Sequence, residues 1–85
     1  MLFQNTPNPF STQTEIKYYL PETAENAVLN VFSPNGNMFL SKPITATGSG
    51  SITISGSELD AGMYIYTLSI NGVEVDSRRM IITEK

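Results

Sequence analysis

The sequence predicts an all-β fold, a small antiparallel β-sandwich, on three observations. Val, Ile and Thr supply 21 of the 85 residues, and β-branched side chains suit the pleated, half-buried surface of a sheet. Gly and Pro supply 11 more, alongside nine Ser and seven Asn, which is the composition of tight turns. Apolar residues recur at alternate positions in short runs, the period of a strand and not of a helix.

Residues 1–85 read as one small domain, with a proline-containing N-terminal arm over 1–13 and the sandwich over 14–83. Cys and His are absent, so neither disulfides nor a zinc cluster can supplement the core. A chain of this length hides about 60–65% of its unfolded surface, and ordinary apolar packing has to hold it.

In the arm, Pro7 and Pro9 flank Asn8. Each proline removes a backbone donor and biases its predecessor toward an extended form, which predicts an ordered irregular edge and excludes a helix. From Thr14 to Leu20 the pattern alternates, with Ile16, Tyr18 and Leu20 on the inner face and Glu15, Lys17 and Tyr19 outside. Ala27, Leu29 and Val31 give a second strand. Asn35-Gly36 then marks a hairpin turn through residues that tolerate positive φ. A third strand returns over about Met38 to Ser41, its register open because Met38 and Leu40 compete with Phe39 for the inner face.

Thr45 to Gly50 reads as a small, flexible connection. Ile52 and Ile54 alternate with Ser51, Thr53 and Ser55 in a short amphipathic strand. Ser57 to Gly62 is a turn or a single helical turn that drops Leu59 onto the core, with Gly62 starting the next strand. Met63 to Ile70 is the longest and most apolar strand. Tyr64, Tyr66, Leu68 and Ile70 share one face and Met63 and Ile65 the other, as in a central strand. After Asn71-Gly72, Val73 and Val75 lie on a returning strand, and Arg78 to Thr83 make the last. The count is about seven, the number of a small immunoglobulin-like sandwich.

Charge and composition exclude several functions. Five Lys and Arg against eight Asp and Glu give a net charge of −3, and Arg78-Arg79 is the one adjacent basic pair, so a nucleic-acid partner is excluded as the main role. No window approaches the 18 or so apolar residues of a membrane helix, which predicts no direct membrane insertion. Without His or Cys the usual nucleophile–base pairs are missing. Lys17, Lys42 and Lys85 lie outside apolar stretches that could lower their pKa for a Ser–Lys dyad. Asp60 and Asp76 read as solvated turn residues, and no segment has calcium-loop spacing. The sequence therefore predicts no catalytic residues, no metal site and no cofactor.

Several positions keep two readings. Tyr18, Tyr64 and Tyr66 fall on core parity, which leaves Tyr19 as the one plausible exposed platform for a sugar ring. Phe10 reads as a plug closing the end of the sandwich, with a docking anchor as the other reading. Arg78 and Arg79 beside Met80, Ile81 and Ile82 are either an ordinary solvated strand end or an edge offered to a receptor by strand addition.

The run Leu2-Phe3-Gln4-Asn5-Thr6-Pro7-Asn8-Pro9-Phe10, followed by Thr14, Ile16, Tyr18, Leu20 and Pro21, closely resembles the opening of the type A C-terminal sorting domain of the bacterial type IX secretion system. The middle, with Leu29, Val31 and Gly36, and the close, with Leu59, Gly62, Tyr64, Tyr66, Leu68, Gly72 and Arg78 to Ile82, follow the same order and spacing. The resemblance covers essentially the whole chain. Gln-Asn-x-Pro-Asn-Pro-Phe is its specific element. Three features depart from the pattern: Pro34 in the first Asn-Gly turn, the Thr- and Gly-rich stretch from Pro43 to Gly50, and Glu84-Lys85 beyond the apolar ending.

The resemblance implies a targeting module at the C-terminus of a larger exported protein. Such cargo crosses the inner membrane on its own N-terminal signal peptide, and Met1 would then be a start codon placed before an excised module. It implies recognition at the outer membrane by the type IX machinery, transit through the periplasm, and delivery to the cell surface or medium. It also implies removal of the module by a surface peptidase. Expected partners are that machinery, the peptidase and the covalently linked cargo, with the isolated domain a monomer or weak dimer. Gln4, Asn5, Pro7, Asn8, Pro9, Phe10, Gly36, Leu59, Gly62 and Tyr64 are the family-motif positions. Gly62, Arg78, Arg79, Met80, Ile81 and Ile82 form the expected recognition surface. The other reading is an extracellular accessory module, glycan-binding or purely structural.

Overall fold

Strict alternation sets the first strand of the structure, a computed structural model that describes residues 1–83. In β1 (Gln13–Leu20), Thr14, Ile16, Tyr18 and Leu20 are buried and the residues between them exposed. Glu84 and Lys85, the extension past the apolar ending, lie outside the described residues. Five more strands follow: β2 (Ala27–Phe32), β3 (Met38–Ile44), β4 (Gly48–Ser55), β5 (Gly62–Ile70) and β6 (Val73–Ile82). They form two antiparallel sheets, β1-β4 and β3-β2-β5-β6. The fold is all-β and sandwich-like, and the described residues contain no helix.

The strands number six where the sequence predicts about seven, because Val73–Val75 and Arg78–Ile82 belong to one continuous β6. The apolar parity changes along it, from Val73 and Val75 to Met80 and Ile82, and that change suggests two strands. A bulge explains it: Leu68 faces Asp76 while Ser69 faces Glu74, leaving Val75 as the extra residue. Val73 and Val75 are also exposed, so their parity is not that of the core.

A second bulge answers the open register of β3. Val31 faces Leu40 and Phe32 faces Met38, so Phe39 is the inserted residue. Leu40 packs against the core while Met38 and Phe39 stay exposed. The turn before β3 also differs from expectation. Gly36 has φ +93° but Asn35 does not enter the left-handed region. The Gly36 N–H donates to the Ser33 carbonyl at 2.9 Å. Pro34 occupies the position whose fixed φ suits an ordinary turn, and glycine alone takes the positive angle. At Asn71-Gly72 both residues are left-handed, with φ +53° and +80°.

Gly48 to Gly50 belong to β4 and not to a flexible connection, since they pair with Leu20 to Tyr18 and complete a ladder that runs the full length of β1. Gly50 lies against the Tyr18 ring, and a Cβ there would collide with the phenol. Residues 57–61 form a turn, not a helix, and it buries Leu59 as expected.

The core lies between the sheets: Ile16, Leu20, Leu29, Val31, Ile54, Tyr66, Leu68 and Met80 are all at most 1% exposed. The arm contributes to it as well, through Leu2 and Phe10. By strand register, one end of the sandwich carries Phe10, the 33–37 turn, Leu59, Gly62 and Ile82. The opposite end carries Met1, Leu20, Ala27, Gly48 and Asn71-Gly72.

Candidate functional site

The arm joins both sheets. On the β1 side, the Phe3 N–H donates to the Lys17 carbonyl at 3.0 Å, and Thr6 and Glu15 exchange backbone hydrogen bonds at 3.0 and 2.9 Å. On the β6 side, Gln4 Nε2 donates to the Arg79 carbonyl. The Ile81 N–H donates to Asn8 Oδ1 at 2.9 Å. The Phe10 N–H donates to the Ile81 carbonyl at 3.0 Å and the Thr83 N–H to the Phe10 carbonyl at 2.8 Å. An edge strand with unpaired groups templates further pairing; here the arm takes that place along Arg79–Thr83.

Asn5 is the hub of the arm and is 2% exposed. Its N–H donates to Tyr66 Oη at 2.8 Å. Its Nδ2 donates to the Pro7 carbonyl at 3.1 Å and to Thr14 Oγ1 at 3.0 Å. Its Oδ1 accepts from Gln4 Nε2 at 2.7 Å. The Tyr66 hydroxyl in turn donates to the Phe3 carbonyl at 2.8 Å. Burial pushes the Tyr66 phenol above its ordinary pKa, with the Asn5 N–H and the charge of Arg78 opposing. A buried amide and a buried phenol are costly unless every group is paired, and this network pairs them.

These contacts give the motif residues structural roles. Gln4, Asn5 and Asn8 supply side-chain hydrogen bonds, Pro7 a carbonyl, and Phe10 an end plug at 3% exposure. The peptide bonds before Pro7 and Pro9 are both cis. Leu59 and Tyr64 are buried, and Tyr64 Oη donates to the Asp60 carbonyl at 2.8 Å. Burial, then the Asp60 charge, raises the Tyr64 pKa. The Phe39 ring meets Tyr64 edge-on, with centroids 5.7 Å apart and an interplanar angle of 86°. Gly62 is required by its φ of +151°, and a Cβ there would meet open space. The close approach lies instead at Gly56, where a Cβ would strike the Ser11 carbonyl. No residue pattern around Gly56 marks it in the sequence.

The expected recognition surface divides across β6. Met80 and Ile82 are core residues at 0% and 3% exposure, while Arg78, Arg79 and Ile81 are exposed. Arg78 stands opposite Tyr66 on the core-side parity, its Nη2 3.5 Å from the Leu2 carbonyl. Arg79 stands opposite Ile65 and Ile81 opposite Met63, on the outer face of the four-stranded sheet. The two arginines therefore point to opposite faces and do not form one basic patch. Gly36 and Gly62 lie at the same end, and Tyr19 is exposed on β1. Among the described residues no cluster of acidic side chains could hold a metal ion.

The secretion system C-terminal sorting domain family model matches residues 6–83. Gln4 and Asn5 fall just outside that span, and the remaining motif positions and Arg78 to Ile82 fall inside it. No curated protein matches the chain. The match does not favour the accessory-module reading, and the family is not one of enzymes. The chain belongs to the family of secretion system C-terminal sorting domains, the signals that direct proteins into type IX secretion.

Proposed function

We propose that residues 1–85 act as one folded address label, carried at the C-terminus of a larger exported protein and read at the outer membrane by the type IX machinery. The cargo reaches the periplasm by a separate route, and the label delivers it to the cell surface or medium. A surface peptidase then removes the label, which is a substrate and performs no catalysis. The reading surface is the outer face of β6 toward the Gly62 end, with Arg79 and Ile81, while Met80 and Ile82 hold the strand in place and Arg78, on the opposite face, reaches toward Leu2.

The observation that carries this reading is the joining of the opening motif to the last strand. Gln4, Asn8 and Phe10 hydrogen-bond the backbone of Arg79–Thr83, so the two motif-bearing ends of the chain form one rigid feature. With that edge occupied, recognition falls to side chains: Arg79 offers charge-assisted, forked hydrogen bonds and Ile81 an apolar contact.

The test is to fuse residues 2–85 behind a signal peptide and a reporter in a type IX host. The reporter should reach the surface, and its retention in the periplasm overturns the proposal. Replacing Arg78 and Arg79 by Ala should reduce export several-fold. Each substitution should move stability by no more than about 0.5 kcal/mol, so thermal denaturation of the purified variants separates recognition from folding.

A further inference from the structure

Each sheet has two edges, and three of the four are protected. The arm covers β1 and the Arg79–Thr83 part of β6. The edge of β3 carries Lys42, Pro43 and the Phe39 bulge, all devices that discourage pairing. β4 has none of them. No residue from Pro43 to Ser57 carries a charge, no proline interrupts Gly48–Ser55, and its pairing with β1 runs without a register shift.

The backbone directions follow from β1, whose Glu15, Lys17 and Tyr19 bond the arm. Its even residues therefore face β4, and alternation aims Ser49, Ser51 and Thr53 of β4 away from it. Ser55, next in that series, has its N–H and carbonyl taken by Glu58, at 2.8 and 3.0 Å. Among the described residues, the N–H and carbonyl groups of Ser49, Ser51 and Thr53 have no hydrogen-bond partner.

We infer that the β4 edge is a strand-addition site for a second copy of this chain, the two β4 strands pairing antiparallel about a two-fold axis at Ser51. Self-complementarity selects this occupant. In that register Ser51 meets its own counterpart, Ser49 meets Thr53, and Gly50 and Gly48 meet Ile52 and Ile54, so every facing pair is uncharged and none sets two large side chains against each other. The pairing adds about six backbone hydrogen bonds and joins the two-stranded sheets of both copies. One strand-to-strand contact buries less than the roughly 1,200 Å² of a stable interface. The dimer is therefore weak, with a dissociation constant on the order of 0.1–1 mM.

Sedimentation velocity and diffusion NMR on residues 1–85, from about 10 μM to 1 mM, read the association directly. Ser51→Lys places like charges opposite each other and should weaken dimerisation at least about tenfold, and Ser51→Glu should do the same. Because Ser51 is exposed, both variants should keep the wild-type melting temperature within a few degrees. An equimolar mixture of the two variants should restore dimers, since Lys then faces Glu. A wild-type chain that stays monomeric to 1 mM overturns the inference, as do variants that still dimerise or a mixture that does not. If Ser51→Lys blocks export while the wild-type chain is monomeric, the edge receives a segment of the export machinery instead. That outcome overturns self-pairing and leaves the sorting role standing.

Discussion

Phe10 and Ile82 lie side by side as parallel neighbours, although they come from opposite ends of the chain. Both are buried, at 3% exposure each, and the backbone of Phe10 bonds Ile81 on one side and Thr83 on the other. The arm is thus the outer neighbour of the last strand, and its ring closes the end of the core.

Truncating that ring should be costly. Phe10→Ala removes a buried aromatic side chain and leaves a cavity at the end of the sandwich, for a loss of about 3–5 kcal/mol. Denaturant unfolding measures it. Hydrogen exchange should show the Ile81 and Thr83 amides losing protection more than amides in β1, because the arm stops shielding the β6 edge.

The Tyr66 hydroxyl is the second place where the arm is fastened. Tyr66→Phe keeps the ring in the core and deletes a group that both accepts from the Asn5 N–H and donates to the Phe3 carbonyl. Two backbone groups lose their partner, and the expected cost is about 1–3 kcal/mol. Tyr64→Phe serves as the control. It breaks one hydrogen bond, to the Asp60 carbonyl, and should cost about 1 kcal/mol. Equal losses in the two variants would refute the network's role.

Much of this was legible in the sequence, and the failures have physical causes. Period-2 alternation located β1, β2 and β5, because each buries one continuous parity. Tyr18, Tyr64 and Tyr66 are structural, as their parity predicts, and Phe10 is a plug. Alternation failed where a bulge shifts the parity, at Phe39 and at Val75, since an inserted residue leaves no compositional mark. It also failed at Gly48 to Gly50, where small residues that look like a linker pair with the end of β1 and Gly50 fits against the Tyr18 ring. The roles of Gln4, Asn5 and Asn8 were visible only as a family motif, because their partners lie in distant segments that no local pattern identifies. In the last strand alternation already sets Met80 and Ile82 on one face and Arg79 and Ile81 on the other, and β6 keeps that parity, which sends the adjacent Arg78 and Arg79 to opposite faces.

Acid should loosen the start of the arm first. The Leu2 N–H donates to Asp76 Oδ2 at 2.8 Å and, as the largest influence, holds the Asp76 carboxyl below the usual carboxylate range. Partial burial opposes it, and the Ser77 N–H and Arg78 add to it. Glu58 is lowered in the same sense, chiefly by the Ser55 N–H and then by Lys42 at 3.1 Å. For a carboxyl with a depressed folded pKa, the stabilisation is complete above the unfolded value of about 4. It is lost as pH falls through the folded value. Melting temperature should therefore fall below about pH 4. In Asp76→Asn the fall should be smaller, from a lower starting stability at neutral pH. The difference should stay below about 1 kcal/mol, since the carboxylate is partly in water.

The glycines rank in an order that turn signals do not suggest. Gly36 sits in the recognisable Asn-Gly turn, yet a methyl group there meets open space, and Gly36→Ala has only the φ of +93° to contend with. Its cost should be about 1 kcal/mol. Gly56 has no positive φ, but its N–H donates to the Thr12 carbonyl at 2.7 Å. That bond draws its backbone so close to Ser11 that an added Cβ would strike the Ser11 carbonyl. A backbone oxygen cannot rotate aside as a side chain can, so Gly56→Ala must push the arm away from the β4–β5 turn. Such overpacking should cost about 2–3 kcal/mol. The two variants unfolded side by side decide the matter: a Gly36→Ala loss equal to or larger than that of Gly56→Ala would show that the arm does not pack against Gly56 as described.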